Sequence, residues 1–104
     1  MMIKEIDAND LQNRIAEGDE FTLLDIRSAG ELAQGVLPDA EHLPMHLIPL
    51  RINELPKDKD AEIICFCKIS LRGYETALIL EENGWTNVKV MEGGIVAWPY
   101  AREK

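Results

Sequence analysis

Residues 61–67 read Ala-Glu-Ile-Ile-Cys-Phe-Cys, and this stretch decides the fold class of the chain. The run is continuous and rich in β-formers, which is typical of a parallel strand that is covered on both faces. A short loop, residues 68–71, separates it from residues 72–83, whose apolar positions predict a helix that stops at Asn83-Gly84. The order of strand, tight loop and helix predicts a β-α unit with its strand at the centre of a sheet.

The rest of the chain shows the same alternation of short apolar runs with helix-length amphipathic segments. Further strands are predicted at residues 3–6, 21–26, 40–43 and 88–91. Further helices are predicted at residues 8–17, 44–55 and 95–98. The capping-box pair Ser28 and Glu31 predicts one more short helix, which ends near Gly35. This alternation predicts an α/β fold with a central, mainly parallel sheet of about five strands flanked by helices.

Two of these helices carry specific expectations. Asp7 is expected to cap the helix over residues 8–17, which buries Leu11 and Ile15 and stops at Gly18. Pro49 weakens the prediction of a helix over residues 44–55. The candidate inward residues of that second helix are Leu47, Ile48, Leu50, Ile52 and Leu55.

The composition of the chain limits the classes of partner that it is expected to bind. The chain has 104 residues, close to the commonest domain size, so one domain over residues 1–104 is expected. Its 19 acidic and 11 basic residues give a formal net charge of −8, which repels nucleic acid backbones and anionic lipid headgroups. No signal-peptide or transmembrane run is seen, and the close pair Cys65 and Cys67 is unlike a secreted disulfide framework. These features predict a cytoplasmic protein without a nucleic acid or membrane partner.

Cys67 is the candidate reactive residue. In open α/β sheets, ligands bind at the carboxyl ends of strands, where loops face helix N-termini. The amides of residues 68–71 can converge there on an anion, and Lys68 and Arg72 add positive charge. Such surroundings favour the thiolate, which is the nucleophilic form of cysteine. The alternative is a buried cysteine that only packs.

Two segments of the chain resemble a known family. LLDIRSAGELAQGVLPDAEHLP, residues 23–44, is similar to the N-terminal half of a rhodanese domain, which typically reads D-V-R-x-x-x-E-[YF]-x-x-G-H-I-P-G-A. IICFCKISLRGYETALILEENGWTNVKVMEGGIVAW, residues 63–98, is similar to the active-site loop, the following helix and the closing signature of the family. The matching positions are Asp25, Arg27, Glu31, Gly35, Pro38, Ala40, Gly84, Asn87, Val88, Gly93, Gly94, Ala97 and Trp98. The resemblance covers about residues 3–98 and implies a three-layer rhodanese-like fold.

The resemblance also implies an activity. A rhodanese is a thiosulfate sulfurtransferase, so Cys67 is expected to take the outer sulfur of a donor such as thiosulfate and to become a persulfide. It would then pass this sulfur to an acceptor such as cyanide or a thiol, with no cofactor and no metal. A protein thiol with a basic patch is a further acceptor class, because the acidic surface would attract it. The residues expected to bind substrate are Lys68, Ile69, Ser70, Leu71, Arg72 and, less directly, Arg27.

Three positions depart from the family pattern. The usual C-x-x-G-x-R-S reads Cys67-Lys68-Ile69-Ser70-Leu71-Arg72-Gly73, so Ser70 replaces a glycine and Gly73 replaces a serine. If that glycine takes a positive φ, Ser70 bears a strain of about 1 kcal/mol or reshapes the loop. Val36 stands where the family often has His.

Two other functions are possible for a chain with this pattern of residues. A cysteine phosphatase or arsenate reductase needs C-x5-R, whereas the spacing from Cys67 to Arg72 is C-x4-R and from Cys65 it is C-x6-R. A catalytically silent rhodanese-like module that binds or regulates a partner is the other alternative. Retention of Cys67 favours an enzyme.

The remaining chemistry-bearing residues have structural explanations. Asp25 and Glu31 are expected to support the site. In one alternative, Asp25 orients the hydrogen-bond donors of the loop. In the other, Asp25 accepts backbone N–H bonds and Arg27 pairs with Glu31. Cys65 is expected to be a small buried residue rather than a resolving thiol, because a Cys-x-Cys disulfide is strained. His42 and His46 lack the spacing of a structural zinc site with the two cysteines.

Overall fold

A parallel five-stranded sheet forms the centre of the computed structural model, which describes residues 3–104. The strands are β1 (Lys4–Ile6), β2 (Thr22–Asp25), β3 (Glu41–His42), β4 (Ile63–Phe66) and β5 (Val88–Met91). Their order across the sheet is β1-β5-β4-β2-β3, and every adjacent pair is parallel. The predicted α/β class and the central position of β4 are therefore confirmed.

Helices cover both faces of this sheet. They are α1 (Ala8–Ala16), α2 (Ile48–Arg51) and α3 (Leu71–Glu82), with further 3-10 turns that include Ala29–Gln34 and Ile95–Ala97. Asp7 caps α1 as predicted, because its carboxylate accepts the Asp10 amide at 2.7 Å.

Alternation along β4 divides the core into two layers. Cys65 and Cys67 pack on one face of the sheet, together with Ala77 and Leu80 of α3. Phe66 packs on the other face, together with Leu11 of α1. Because successive side chains of a strand point to opposite faces, this arrangement confirms the helix-sheet-helix sandwich that the family resemblance implies.

The prediction of one helix over residues 44–55 was wrong. The segment consists of a 3-10 turn (Met45–Leu47), the four-residue α2 and a second 3-10 turn (Ile52–Glu54). Pro49 lies in the first turn of α2, where a backbone N–H would have no partner within the helix, so its missing N–H is tolerated. The prediction that Leu50 faces the core is also wrong, because Leu50 is 82% exposed.

Candidate active site

Cys67 follows β4 directly, at the carboxyl end of the central strand. The four residues 67–70, called here the Cys67 loop, connect β4 to α3, which begins at Leu71. Contrary to what a reactive thiol requires, Cys67 is only 1% exposed. The site is therefore closed over its candidate nucleophile in this conformation.

The backbone of the Cys67 loop is oriented by the chain after β5. The Ile95 amide donates to the Cys67 carbonyl at 2.8 Å, and the Val96 amide donates to the Lys68 carbonyl at 3.1 Å. In a trans peptide the N–H points opposite to the C=O, so the Lys68 and Ile69 amides face away from this segment. Within residues 3–104, no hydrogen bond uses the amides of Lys68, Ile69 or Ser70 as donors. Three neighbouring N–H groups are thus uncommitted beside Cys67.

Gly94 makes the close approach of these two segments possible. Its φ is +65°, and a Cβ at this position would lie 2.5 Å from the carbonyl carbon and oxygen of Lys68. No residue with a side chain fits there. A second contact fastens the loop, because the Gly93 amide donates to Ser70 Oγ at 3.1 Å.

Ser70 carries no left-handed strain. Its φ is −170°, which is extended backbone, so the strain considered for a serine at this glycine position is absent. The hydroxyl also donates to the Ile69 carbonyl. The side chains of Lys68, Ile69 and Leu71 are exposed.

Arg72 forms a two-point ion pair with Glu31. Its two terminal nitrogens donate to the two carboxylate oxygens at 2.7 and 2.9 Å. The pKa of Glu31 is lowered to about 2, chiefly by these bonds and with a smaller contribution from the Ser28 amide, which donates to the same carboxylate at 3.0 Å. The pKa of Arg72 is raised chiefly by Glu31. Arg72 precedes Gly73, where a Cβ would lie 4.0 Å from Cys67 Sγ, so the first turn of α3 lies against the candidate nucleophile.

Arg27 and Asp25 form a separate, buried pair. The Arg27 Nε and a terminal nitrogen donate to Asp25 at 2.9 and 2.7 Å, and both side chains are 2% exposed. The Asp25 carboxylate also accepts the Arg27 amide, as expected, at 3.1 Å. The alternative in which Arg27 pairs with the Glu31 side chain was wrong, since it reaches only the Glu31 carbonyl, at 3.3 Å. Substrate binding by Arg27 stays a prediction, with its guanidinium already held by these partners and by the Gly35 carbonyl.

Cys65 is a core residue, as predicted. It is fully buried, and burial, aided by the nearby Cys67, raises the pKa of its thiol to about 12. The Cys65 thiol donates to the Gly73 and Lys89 carbonyls at 3.5 and 3.6 Å. Cys65 therefore stays a neutral thiol that donates hydrogen bonds within the core.

His42 and His46 do not form a metal site with the two cysteines. His42 Nε2 donates to the Arg27 carbonyl at 2.8 Å, and His46 is exposed. Across residues 3–104, no three His, Cys, Asp or Glu side chains are grouped so that they could hold a metal ion. In the same part of the chain, no helix has the length and apolarity needed to cross a bilayer.

A strand-loop-helix site with a cysteine at its start, closed by a double-glycine segment, defines the class of this protein. The family model of the rhodanese-like domain matches residues 7–101, and the chain belongs to that family. It is 43% identical over 97 residues to a sulfurtransferase of Allochromatium vinosum, covering 93% of this chain and 89% of that protein. It is 38% identical over 98 residues to the putative sulfurtransferase YtwF of Bacillus subtilis, covering 94% and 92%.

A solved structure supports the fold independently. A rhodanese-like domain protein of Staphylococcus aureus has a TM-score of 0.84 and 30% identity, covering 92% of this chain and 91% of that one.

The ion pair between Glu31 and Arg72 is not predicted from the sequence. No local signal could have paired them, because they are 41 positions apart.

Proposed function

We propose that this protein is a sulfurtransferase that carries a sulfane sulfur as a persulfide on Cys67. The observation that carries the proposal is the placement of Cys67 at the start of a loop with three uncommitted backbone amides, against the first turn of α3, which carries Arg72. Such donors stabilise negative charge on a sulfur atom and on an anionic donor. The two sulfurtransferase relatives, at 43% and 38% identity over almost the whole chain, support the same reaction class.

The proposed reaction has two displacement steps. The Cys67 thiolate attacks the outer sulfur of thiosulfate, a new S–S bond forms, and sulfite leaves with the electrons of the broken S–S bond. Cyanide or a thiolate then attacks the outer sulfur of the persulfide, and the Cys67 thiolate leaves. Each step conserves charge and needs no external oxidant or reductant, and no cofactor takes part.

The burial of Cys67 adds a requirement to this mechanism. At 1% exposure the Cys67 thiol offers almost no surface to a donor, and we propose that the Cys67 loop opens before each transfer. Within residues 3–104, four hydrogen bonds from other segments hold the loop: the Ile95, Val96 and Tyr74 amides donate to the carbonyls of Cys67, Lys68 and Ser70, and the Gly93 amide donates to Ser70 Oγ. A loop held by a small number of such bonds opens locally at low cost compared with global unfolding.

The test is sulfur transfer by matched cysteine variants. Wild type, Cys67→Ser and Cys65→Ser are assayed for thiocyanate formation from thiosulfate and cyanide. We expect wild type and Cys65→Ser to turn over and Cys67→Ser to be inactive. Mass spectrometry after thiosulfate treatment should place one added sulfur atom on the peptide that contains Cys67. Equal rates for wild type and Cys67→Ser would refute the proposal.

A second candidate is a catalytically silent binding or regulatory module. The observation that favours it is again the burial of Cys67, which a domain without chemistry would tolerate. The same assay separates the two, because a silent module forms no persulfide with any donor. The C-x4-R spacing of the loop continues to argue against phosphatase or arsenate reductase activity.

The setting we propose is a reducing compartment such as the cytoplasm, with residues 1–104 acting as one domain. Both cysteines are free thiols, which suits a site that alternates between thiol and persulfide. A small sulfur-donor anion and a thiol or cyanide acceptor are the proposed partners. An acceptor thiol on another protein would be drawn to the net charge of −8 if its surface is basic.

A further inference from the structure

Arg102 and Glu103 are fastened to the segment that follows the first 3-10 turn. Glu103 forms an antiparallel bridge with Val36, in which each amide donates to the carbonyl of the other residue at 2.8 Å. Next to this bridge the stem of Arg102 lies against buried Gly35, because a Cβ on Gly35 would come within 3.0 Å of the Arg102 Cβ and Cδ atoms. The Gly35 carbonyl accepts the buried Arg27 side chain at 2.9 Å. Arg102 and Glu103 are therefore anchored on a part of the chain that the core fixes.

From this anchor the Arg102 side chain reaches the chain after β5. One of its terminal nitrogens donates to the Ile95 carbonyl at 2.8 Å. The N–H of the same peptide group belongs to Val96, and it donates to the Lys68 carbonyl in the Cys67 loop at 3.1 Å. Arg102 is therefore separated from the Cys67 loop by a single peptide group.

The bond from Arg102 strengthens the bond on the other side of this peptide group. A guanidinium donor polarises the carbonyl that accepts from it, which makes the N–H of the same peptide a better donor. The Ile95 carbonyl also accepts the Trp98 amide at 3.1 Å, but that donor is neutral. Loss of the Arg102 bond should therefore weaken the hydrogen bond from Val96 to Lys68.

We propose that Arg102 is a positioning residue that holds the Cys67 loop closed and so controls how often Cys67 becomes accessible. The inference rests on the proposed function, in which the loop opens before each transfer. Arg102 and Glu103 lie outside residues 7–101, the part of the chain that matches the rhodanese-like domain. Val36, to which they are anchored, stands where the family often has His. The contact is thus a feature of this chain beyond the family pattern.

Sulfur transfer by a loop that opens depends on the fraction of molecules whose loop is open. Where opening is fast and unfavourable, the rate of any reaction at the Cys67 thiol scales with this fraction. A weaker hold on the loop raises the fraction for a neutral alkylating reagent and for an anionic sulfur donor alike. Two unrelated reagents should therefore report a change in the same direction.

The experiment measures the rate at which iodoacetamide, a neutral reagent, alkylates Cys67 in the full chain. For Arg102→Gln we expect a rate roughly threefold to tenfold above that of wild type, because a charge-assisted hydrogen bond is lost. Arg102→Lys keeps a charged donor and should stay within about twofold of wild type. Arg51→Gln makes the same change of net charge at an exposed pair with Glu54 and should react like wild type.

A second pair of variants tests the anchor instead of the Arg102 side chain. Glu103→Pro removes the amide that donates to the Val36 carbonyl and should accelerate alkylation of Cys67 by roughly threefold. Glu103→Ala keeps both backbone bonds and should react like wild type. This pair keeps the proposal testable if Arg102→Gln fails to fold.

Sulfur loading gives the functional readout. Mass spectrometry follows the rate at which thiosulfate adds one sulfur atom to Cys67 when no acceptor is present. For Arg102→Gln this rate should rise together with the rate of alkylation. Cys65, which is fully buried, should stay unmodified in every variant, as expected if the loop and not the whole domain opens.

The outcomes separate this inference from the proposed function. Unchanged alkylation in both Arg102→Gln and Glu103→Pro would overturn the positioning role, and so would an equal rise at Cys65 and Cys67, which global unfolding explains. Faster alkylation with slower sulfur loading would contradict it too, because the closed loop would then be the reactive form. If wild type takes up no sulfur while alkylation still responds to Arg102, the sulfurtransferase proposal fails and the hold on the loop stands.

Discussion

Gly73 of α3 lies directly against Val90 of β5: a Cβ on Gly73 would come within 2.9 Å of the Val90 Cγ1 methyl and 4.0 Å of Cys67 Sγ. Real Cβ atoms essentially never approach that closely, so a side chain at this position fits only if Val90 or the first turn of α3 shifts. The family's usual serine at this position would require the same shift in this chain. This contact also sets how near the start of α3 lies to the candidate nucleophile.

Gly73→Ala is expected to destabilise the protein by about 1–3 kcal/mol, because the added methyl overpacks a closed interface. Val90→Ala in the same chain should recover part of this loss by making room. Urea unfolding of the single and double variants measures both effects. Gly30→Ala is the control, since a Cβ there has open space. A Gly73→Ala protein as stable as wild type would contradict the packing.

Cys67 and Cys65 should differ sharply in reactivity. Iodoacetamide at about pH 8 is expected to alkylate Cys67 slowly and to leave Cys65 unmodified, because Cys65 is fully buried and its pKa is raised to about 12. Peptide mass spectrometry over time gives both rates. Equal modification of the two cysteines would mean that unfolding, not loop opening, exposes Cys67.

Ser70→Ala should accelerate the alkylation of Cys67. The substitution removes the hydrogen bond from the Gly93 amide to Ser70 Oγ, and losing one neutral bond that closes the loop predicts a gain of roughly threefold to tenfold. Thr86→Ala, which removes a hydroxyl bonded to Asp60, serves as the control. If both variants react like wild type, this bond does not limit access to the thiol.

Glu31 should contribute to the acid sensitivity of the fold. Its pKa is lowered from 4.5 to about 2, so its carboxylate stabilises the folded state above pH 4.5, and this contribution is lost as the pH falls toward 2. Because the pair with Arg72 is partly exposed, about 0.5–1 kcal/mol is at stake. Urea unfolding across this window should show a smaller pH dependence for Glu31→Gln than for wild type.

The comparison isolates Glu31 because Glu62, whose pKa is also lowered to about 2, is present in both proteins. Glu62 therefore contributes the same pH dependence to each. Parallel stability curves for wild type and Glu31→Gln would show that the ion pair with Arg72 adds nothing to folding.

Arg27→Ala is expected to cost about 3–5 kcal/mol, because it leaves the Asp25 carboxylate buried and unpaired. The melting temperature should fall steeply, while KM for the donor stays unchanged at temperatures where the variant is folded. Arg51→Ala removes an exposed pair with Glu54 and should leave the melting temperature nearly unchanged, because water screens such a pair. A stable Arg27→Ala protein with a raised KM would support substrate binding by Arg27 instead.

Local signals in the sequence predict most of the fold. Residues 63–67 are apolar throughout, which predicts that β4 is covered on both faces. Asp7, followed by an amphipathic segment, predicts the start of α1. The exception is the segment with Pro49, where apolar spacing predicts one helix. There Pro49 and the docking of short turns against the sheet break it into three pieces.

The site is predicted less completely than the fold. The sequence places Cys67 at a strand end and Lys68 and Arg72 beside it, because these positions are adjacent along the chain. It does not predict that the charge of Arg72 is taken up by Glu31, nor that Gly94 meets the Lys68 carbonyl.

By itself, then, the sequence determined the α/β class, the central strand and the identity of the candidate nucleophile, because hydrophobic periodicity, capping residues and motif spacing act over a few neighbouring positions. Only the tertiary structure decided that Cys67 is covered, that its loop amides are uncommitted and that Glu31 neutralises Arg72. The physical reason is that burial and ion pairing depend on side chains that the sheet brings together from distant parts of the chain, and no local pattern encodes those distances.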